Sequence, residues 1–236
     1  MLPPEWAPHK AVWFTYTGIA LDTVLDHVLM ELDTSTLAVC VIDGDSIAGR
    51  IRARWDSLGI PPTRYRIELG VDSLLSPVVR DAGPIFLRRR DGGLAILDAD
   101  WTYYGDTALL AGETPGECAI ADTFPVMFAR RLGLPLVRSD LVIEGGACEI
   151  NGRGDLLQAE AVTLRRNPSW SRDSIEGELQ RVFGARRIIW LKEGPADDMW
   201  FLEPRVHDDV FNQGTGGHLD EFCRFINDST VLTRYG

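Results

Sequence analysis

Four times along this chain a stretch with apolar residues at helical spacing is followed by a short β-rich run, and that alternation confines it to the α/β class. A strand at 11–16 comes first, where Val12, Trp13, Phe14, Thr15 and Tyr16 are β-branched or aromatic. Val24, Leu25, Val28, Leu29 and Leu32 then recur at helical spacing over 22–32, and 37–42 is a continuous apolar run of the kind buried in an α/β core. The second unit is a helix over 45–58, with Asp45 at its N-cap and Gly59 stopping it, followed by a strand at 65–69. The third has Asp122 as cap and Pro125 in the first turn, ends at Gly133, and leads to a strand at 141–143. The fourth is 174–183 followed by 188–191. No fixed period accompanies the alternation, so the units are structural pseudo-repeats and not copies of one sequence.

A chain of 236 residues has room for one sizeable core, and the expectation is a single domain over 1–236. Its net charge of -11 excludes nucleic acid as a partner, since phosphate binding needs a basic surface. The compact basic spot, Arg88-Arg89-Arg90, stands beside Asp91-Gly92-Gly93 and reads as a solvated strand edge or turn. An acidic surface instead concentrates cationic ligands. Met-Leu-Pro-Pro-Glu-Trp at the start has neither the basic nor the apolar region of a secretion signal, and no stretch has membrane-span length. A cytoplasmic protein with no membrane partner is expected. Cys40, Cys118, Cys148 and Cys223 lack CxxC spacing and read as four free thiols. HxxH and HxH spacings are absent, so no metal is assigned. The glycines at 214–217 lack the Lys-Ser/Thr ending of a phosphate loop and 152–154 is too short for a dinucleotide fingerprint, so neither reads as a phosphate-binding loop. Residues 193–214 read as a long loop with an apolar plug at Trp200-Phe201-Leu202.

Four polar groups stand at strand ends or in Gly-flanked turns, where side chains tend to point into clefts. Asp81 lies in Arg80-Asp81-Ala82-Gly83-Pro84, directly after an apolar run; an ordinary turn aspartate is the plainer reading. Glu144 follows Leu141-Val142-Ile143 and precedes two glycines, at the mouth of a buried strand; acceptance of turn amides is the simpler account. His218 and Asp220 follow a Gly-rich stretch and, if extended, share one face, an acid beside its anchor. A neighbouring carboxylate favours imidazolium, which can protonate a leaving amine. A surface histidine beside an aspartate is the alternative.

Several segments fall in the order of one known family. Pro4-Glu5-Trp6-Ala7-Pro8-His9-Lys10-Ala11-Val12-Trp13 resembles the opening of agmatine deiminases and bacterial-type peptidyl-arginine deiminases. Arg80-Asp81-Ala82-Gly83-Pro84 is similar to the family's RDxGP turn and Glu144-Gly145-Gly146 to its EGG. Gly152-Arg153-Gly154-Asp155-Leu156-Leu157 is similar to its GxGxLL, and the stretch from Gly217 through His218 and Asp220 to Phe225 to its GHxDxFCRF. The resemblance implies the pentein fold, a β/α propeller of five modules around a cleft. It also implies hydrolysis of a guanidinium through a cysteine thiolate. In that chemistry two aspartates hold the guanidinium nitrogens and histidine protonates departing ammonia. By motif the holders are Asp81 and Asp220, the acid and base is His218, and Glu144 is a supporting carboxylate that also contacts substrate. Agmatine and water giving N-carbamoylputrescine and ammonia is the implied reaction, in putrescine biosynthesis and without cofactor. A peptidyl-arginine or free-arginine deiminase, or a guanidine-binding protein without turnover, are the alternatives. The family's nucleophile stands in a C-terminal Asn-x-His-Cys segment that these 236 residues do not contain, so the expectation is a C-terminally incomplete propeller. Val78 and Ala147 replace a family Trp and Asn, and Gln213-Gly214-Thr215-Gly216 replaces an acidic lead-in.

Overall fold

The structure, a computed structural model, describes residues 1–16, 22–42, 44–69, 79–105, 122–195, 198, 205–207, 210–211 and 214–234. Contacts divide the chain into two compact units, Pro8–Gly83 in one and Met1–Ala7 with Pro84–Gly236 in the other.

In the unit Pro8–Gly83, strands β1 (Ala11–Thr15), β2 (Leu37–Ile42) and β3 (Tyr65–Leu69) form one sheet in that order, both pairs parallel. Parallel neighbours need crossovers, here helices α1 (Asp22–Glu31) and α2 (Asp45–Ser57). The central strand is the expected buried one, with Ala38, Cys40 and Ile42 fully covered. Trp55 of α2 fills the core, edge-on to Tyr65 at 4.6 Å, and its indole donates to the buried Asp26 of α1 at 2.8 Å. Asp26 also accepts from Arg54, so one carboxylate ties the two helices together. Asp45 does not cap α2: Gly44 holds that place without a side-chain bond, and Asp45 sits in the first turn, where its charge complements the helix dipole. A one-turn helix, α3 (Val79–Ala82), closes the unit.

In the second unit a hairpin followed by a helical crossover to a parallel strand occurs twice. Strands β4 (Ile85–Arg88) and β5 (Leu94–Asp100) form a hairpin, and α4 (Phe124–Leu132) crosses over to β6 (Leu136–Val142), parallel to β5. Next, β7 (Cys148–Ile150) and β8 (Asp155–Ala159) form a hairpin, and α5 (Glu160–Arg166) and α6 (Arg172–Phe183) cross over to β9 (Arg187–Leu191), parallel to β8. Two antiparallel pairs follow, β10 (Arg205–His207) with β11 (Val210–Phe211) and β12 (Cys223–Phe225) with β13 (Val231–Thr233). Leu141, Ile150, Leu156, Ile175, Leu179 and Phe183 are at most 2% exposed and form the larger core; each such side chain contributes about 1.5–3 kcal/mol.

The α/β class stands, and the boundaries differ where side chains found other partners. Asp122 accepts from Trp101 N at 2.9 Å, so Thr123 takes the N-cap of α4, while Gly133 ends the helix at φ 65° as expected. The strand at 141–143 is the buried end of the longer β6; Arg138 and Asp140 face outward and interrupt its apolar run. Arg88, Arg89 and Arg90 are exposed on the β4–β5 hairpin, the solvated edge that their turn signal implied. Trp200-Phe201-Leu202, Cys118 and Val78 lie outside the described residues.

Candidate active site

The last residues of β6 lead to Glu144, extended at φ -102° and ψ 129°, before a 3-10 turn over Gly145–Ala147. Asn167, at the end of α5, locks this corner. Its side chain accepts from Val142 N at 2.9 Å and donates to Val142 O at 3.0 Å, the pattern of a strand neighbour. That lock brings Arg166 opposite Glu144. The guanidinium donates from Nε to Oε1 at 2.6 Å and from Nη2 to Oε2 at 3.2 Å, with both side chains 1% exposed. A desolvated pair of this kind adds little net stability, yet removing one partner strands a charge and costs about 3–5 kcal/mol. Its value is that the carboxylate is immobile.

Oε2 of Glu144 also lies 2.7 Å from His218 Nε2. A carboxylate only accepts, so Nε2 carries the hydrogen and Nδ1 is the ring nitrogen turned toward Gly146. A Cβ on Gly146 would lie 2.5 Å from Nδ1 and 2.9 Å from Asp220 Oδ1, so imidazole and carboxylate converge on one bare backbone point. No side chain fits there. Tyr104 meets the imidazole edge-on at 5.7 Å, and its own backbone is left-handed, φ 59°, as is that of Tyr103. Non-glycine residues hold that conformation at a cost, which surrounding contacts must offset.

His218 and Asp220 do not share an extended strand. Leu219–Glu221 is a 3-10 turn, anchored by the fully buried Leu219, and the two side chains converge on Gly146 from that turn and not through a two-residue period. A carboxylate from 74 residues earlier, Glu144, is bonded to the His218 ring, and that glutamate spends its oxygens on Arg166 and His218 and not on turn amides. Asp81 is 7% exposed on α3, in the unit Pro8–Gly83; it is a buried helical residue and not one at the lip of a turn.

A model of the Porphyromonas-type peptidyl-arginine deiminase family matches residues 1–235. The chain belongs to that family. A Streptomyces coelicolor relative is 30% identical over 254 residues, covering 98% of this chain and 64% of its own. The agmatine deiminase of Stutzerimonas stutzeri is 27% identical, with 98% and 59% covered. Among solved structures, an agmatine deiminase of Enterococcus faecalis superposes over all of this chain and 60% of its own with a TM-score of 0.78 at 22% identity, which speaks for the fold. The chain thus spans about three fifths of the length of these relatives.

Within this deiminase-family chain, sequence reading missed Arg166, Asp198 and Tyr104. Arg165-Arg166 looks like a solvated helix end, Asp198 like one aspartate of a polar loop, and Tyr104 like core; only the folded contacts set them apart. Asp198 is 6% exposed and accepts from the backbone of Thr215, Gly217 and His218. Two of the described cysteines sit where burial favours the protonated thiol. Burial, then Asp22, pushes the Cys40 thiol up to about 12, and burial, then Glu149, raises that of Cys223. Cys148 is buried with Sγ donating toward the carbonyls of Glu144 and Gly145. Among the described residues no group of His, Cys, Asp and Glu is placed to hold a metal, and no helix is long and apolar enough to cross a membrane.

Proposed function

We propose that this protein is an agmatine deiminase-type hydrolase, converting agmatine and water to N-carbamoylputrescine and ammonia in the cytoplasm, on a pentein propeller of which these residues form one part. The observation that carries the reading is the Glu144–His218 pair, 2.7 Å apart and buried, with its glutamate clamped by Arg166. An imidazole so held can pass a proton to departing ammonia and take one from the water that follows. Asp220, beside His218 across Gly146, suits one side of a planar guanidinium, where a carboxylate makes paired charge-assisted bonds. By family motif Asp81 is assigned the second holding role, at its own residue and with its own test. The thiolate that this chemistry needs is not one of Cys40, Cys148 or Cys223, whose surroundings keep the proton on or the sulfur covered. The net charge of -11 favours a small cationic substrate over nucleic acid.

Calorimetric titration with agmatine tests the reading. Saturable binding is expected, weakened about tenfold or more by Asp220→Asn and by Asp81→Asn, each of which removes one ionic partner. Ammonia release by protein purified from its own cells should fall about 10²–10⁴-fold in His218→Ala. A protein that neither binds agmatine nor releases ammonia from it would overturn the proposal.

A further inference from the structure

Asp198 is a buried carboxylate that the chemistry above does not use. Its Oδ1 accepts from Thr215 N at 2.5 Å; its Oδ2 accepts from Thr215 Oγ1 at 2.6 Å, Gly217 N at 2.5 Å and His218 N at 3.1 Å. Four donors from one four-residue turn therefore converge on one anion. The turn contains Gly216 at φ 87° and Gly217 at φ 108°, and a Cβ on Gly194 would lie 2.2 Å from Gly217 Cα, so backbone is packed directly on backbone. Glycines pay the largest entropy to be held and have no preference of their own for this shape. Successive amides turned to one concavity favour an anion there, and charge-assisted bonds are about twice as strong as neutral ones.

We propose that Asp198 is a positioning residue for His218, fixing the turn at 215–218 so that the imidazole reaches Glu144. What separates this from ordinary loop capping is that the contacts close a ring. Asp198 holds Thr215; the Thr215 carbonyl accepts from Arg166 Nη2 at 2.7 Å; Arg166 clamps Glu144; Glu144 meets the His218 ring; and the His218 amide returns to Asp198. Every member but Thr215 is at most 6% exposed. Among the described residues, the charged and titratable groups near the imidazole include Glu144, which is bonded to its ring, Asp220, Glu221 and Tyr104. The inference rests on the assignment of His218 as the proton carrier.

Proton NMR of histidine-labelled protein tests it. A ring hydrogen in a 2.7 Å bond to a carboxylate resonates far downfield, and the His218 signal is assigned by its loss in His218→Gln. Asp198→Asn puts amide donors where the turn needs acceptors, so the signal should move upfield or disappear and agmatine affinity should fall about tenfold. Thr215→Ser, which keeps the hydroxyl, should retain both. Should Asp198→Asn not fold, Thr215→Val, which removes the hydroxyl that donates to Asp198 at 2.6 Å and accepts from the His218 amide at 3.1 Å, decides by an upfield shift of the same signal. An unchanged His218 resonance in whichever of Asp198→Asn and Thr215→Val folds would overturn the positioning role. Failure of the unmodified protein to bind agmatine would sink the functional reading instead, and the resonance would still decide the role of Asp198.

Discussion

Two residues at the site carry measurable consequences of their surroundings. Gly146 has no room for a methyl group between His218 Nδ1 and Asp220, and the obstruction is two held side chains and not the free end of a flexible one. Gly146→Ala should lower stability by about 1–3 kcal/mol in urea denaturation and abolish agmatine binding. Glu221 is affected through electrostatics: burial first, then Asp198, pushes its carboxyl up to about 7, although part of the side chain is exposed. A carboxyl raised on folding binds its proton more tightly in the folded state. Its contribution to stability is present in full below the unfolded value of about 4.3 and is lost as pH rises through about 7. After allowance for solvent screening the effect is on the order of 1 kcal/mol. Thermal melts should show Glu221→Gln removing that part of the decline between about pH 5 and about pH 8. An unaltered pH slope would count against a raised Glu221.

At the scale of elements, some helix ends are set by neighbours in sequence and some are not; Gly133, read from the sequence as the end of α4, is of the first kind. Ser171 caps α6 by accepting from Ser174 N at 3.1 Å, and Gly184 ends that helix at φ 70°, both set by neighbours in sequence. Because α6 buries Ile175, Leu179 and Phe183, fraying its first turn is felt in the core. Ser171→Ala should destabilise by about 1 kcal/mol, read as a Tm about 2–4 °C lower. Asp45 and Asp122 show the opposite. Each stands where a cap is expected, yet one lies a residue inside its helix and the other is taken by the Trp101 amide 21 residues away. The hairpin strands β4, β5 and β8 escaped a reading based on helix–strand alternation, because four- to seven-residue strands with mixed polarity leave no long period.

Over the whole molecule, 35 acidic against 24 basic side chains leave a surplus that repels itself in the compact state. Raising ionic strength from about 10 mM to about 150 mM shortens the Debye length to about 8 Å, so Tm should rise with salt. A Tm that falls with added salt would mean that attractive pairs outweigh the surplus. The exposed pairs here, such as Arg89 with Asp91, are of the kind that contribute little.

Much was already determined by the sequence: the α/β class, the order of the helix–strand crossovers, and the motifs carrying Glu144, His218 and Asp220. Each depends on residues close together in the chain or on a short pattern that needs no folding to be seen. The tertiary structure alone decided that Glu144 is a partner of His218, that Arg166 clamps it, and that Asp198 holds the turn behind it, because these contacts join residues 17 to 74 positions apart. Side-chain bonds of that range leave no period and no local signature. They arise only when burial removes water and requires every polar group to find another partner.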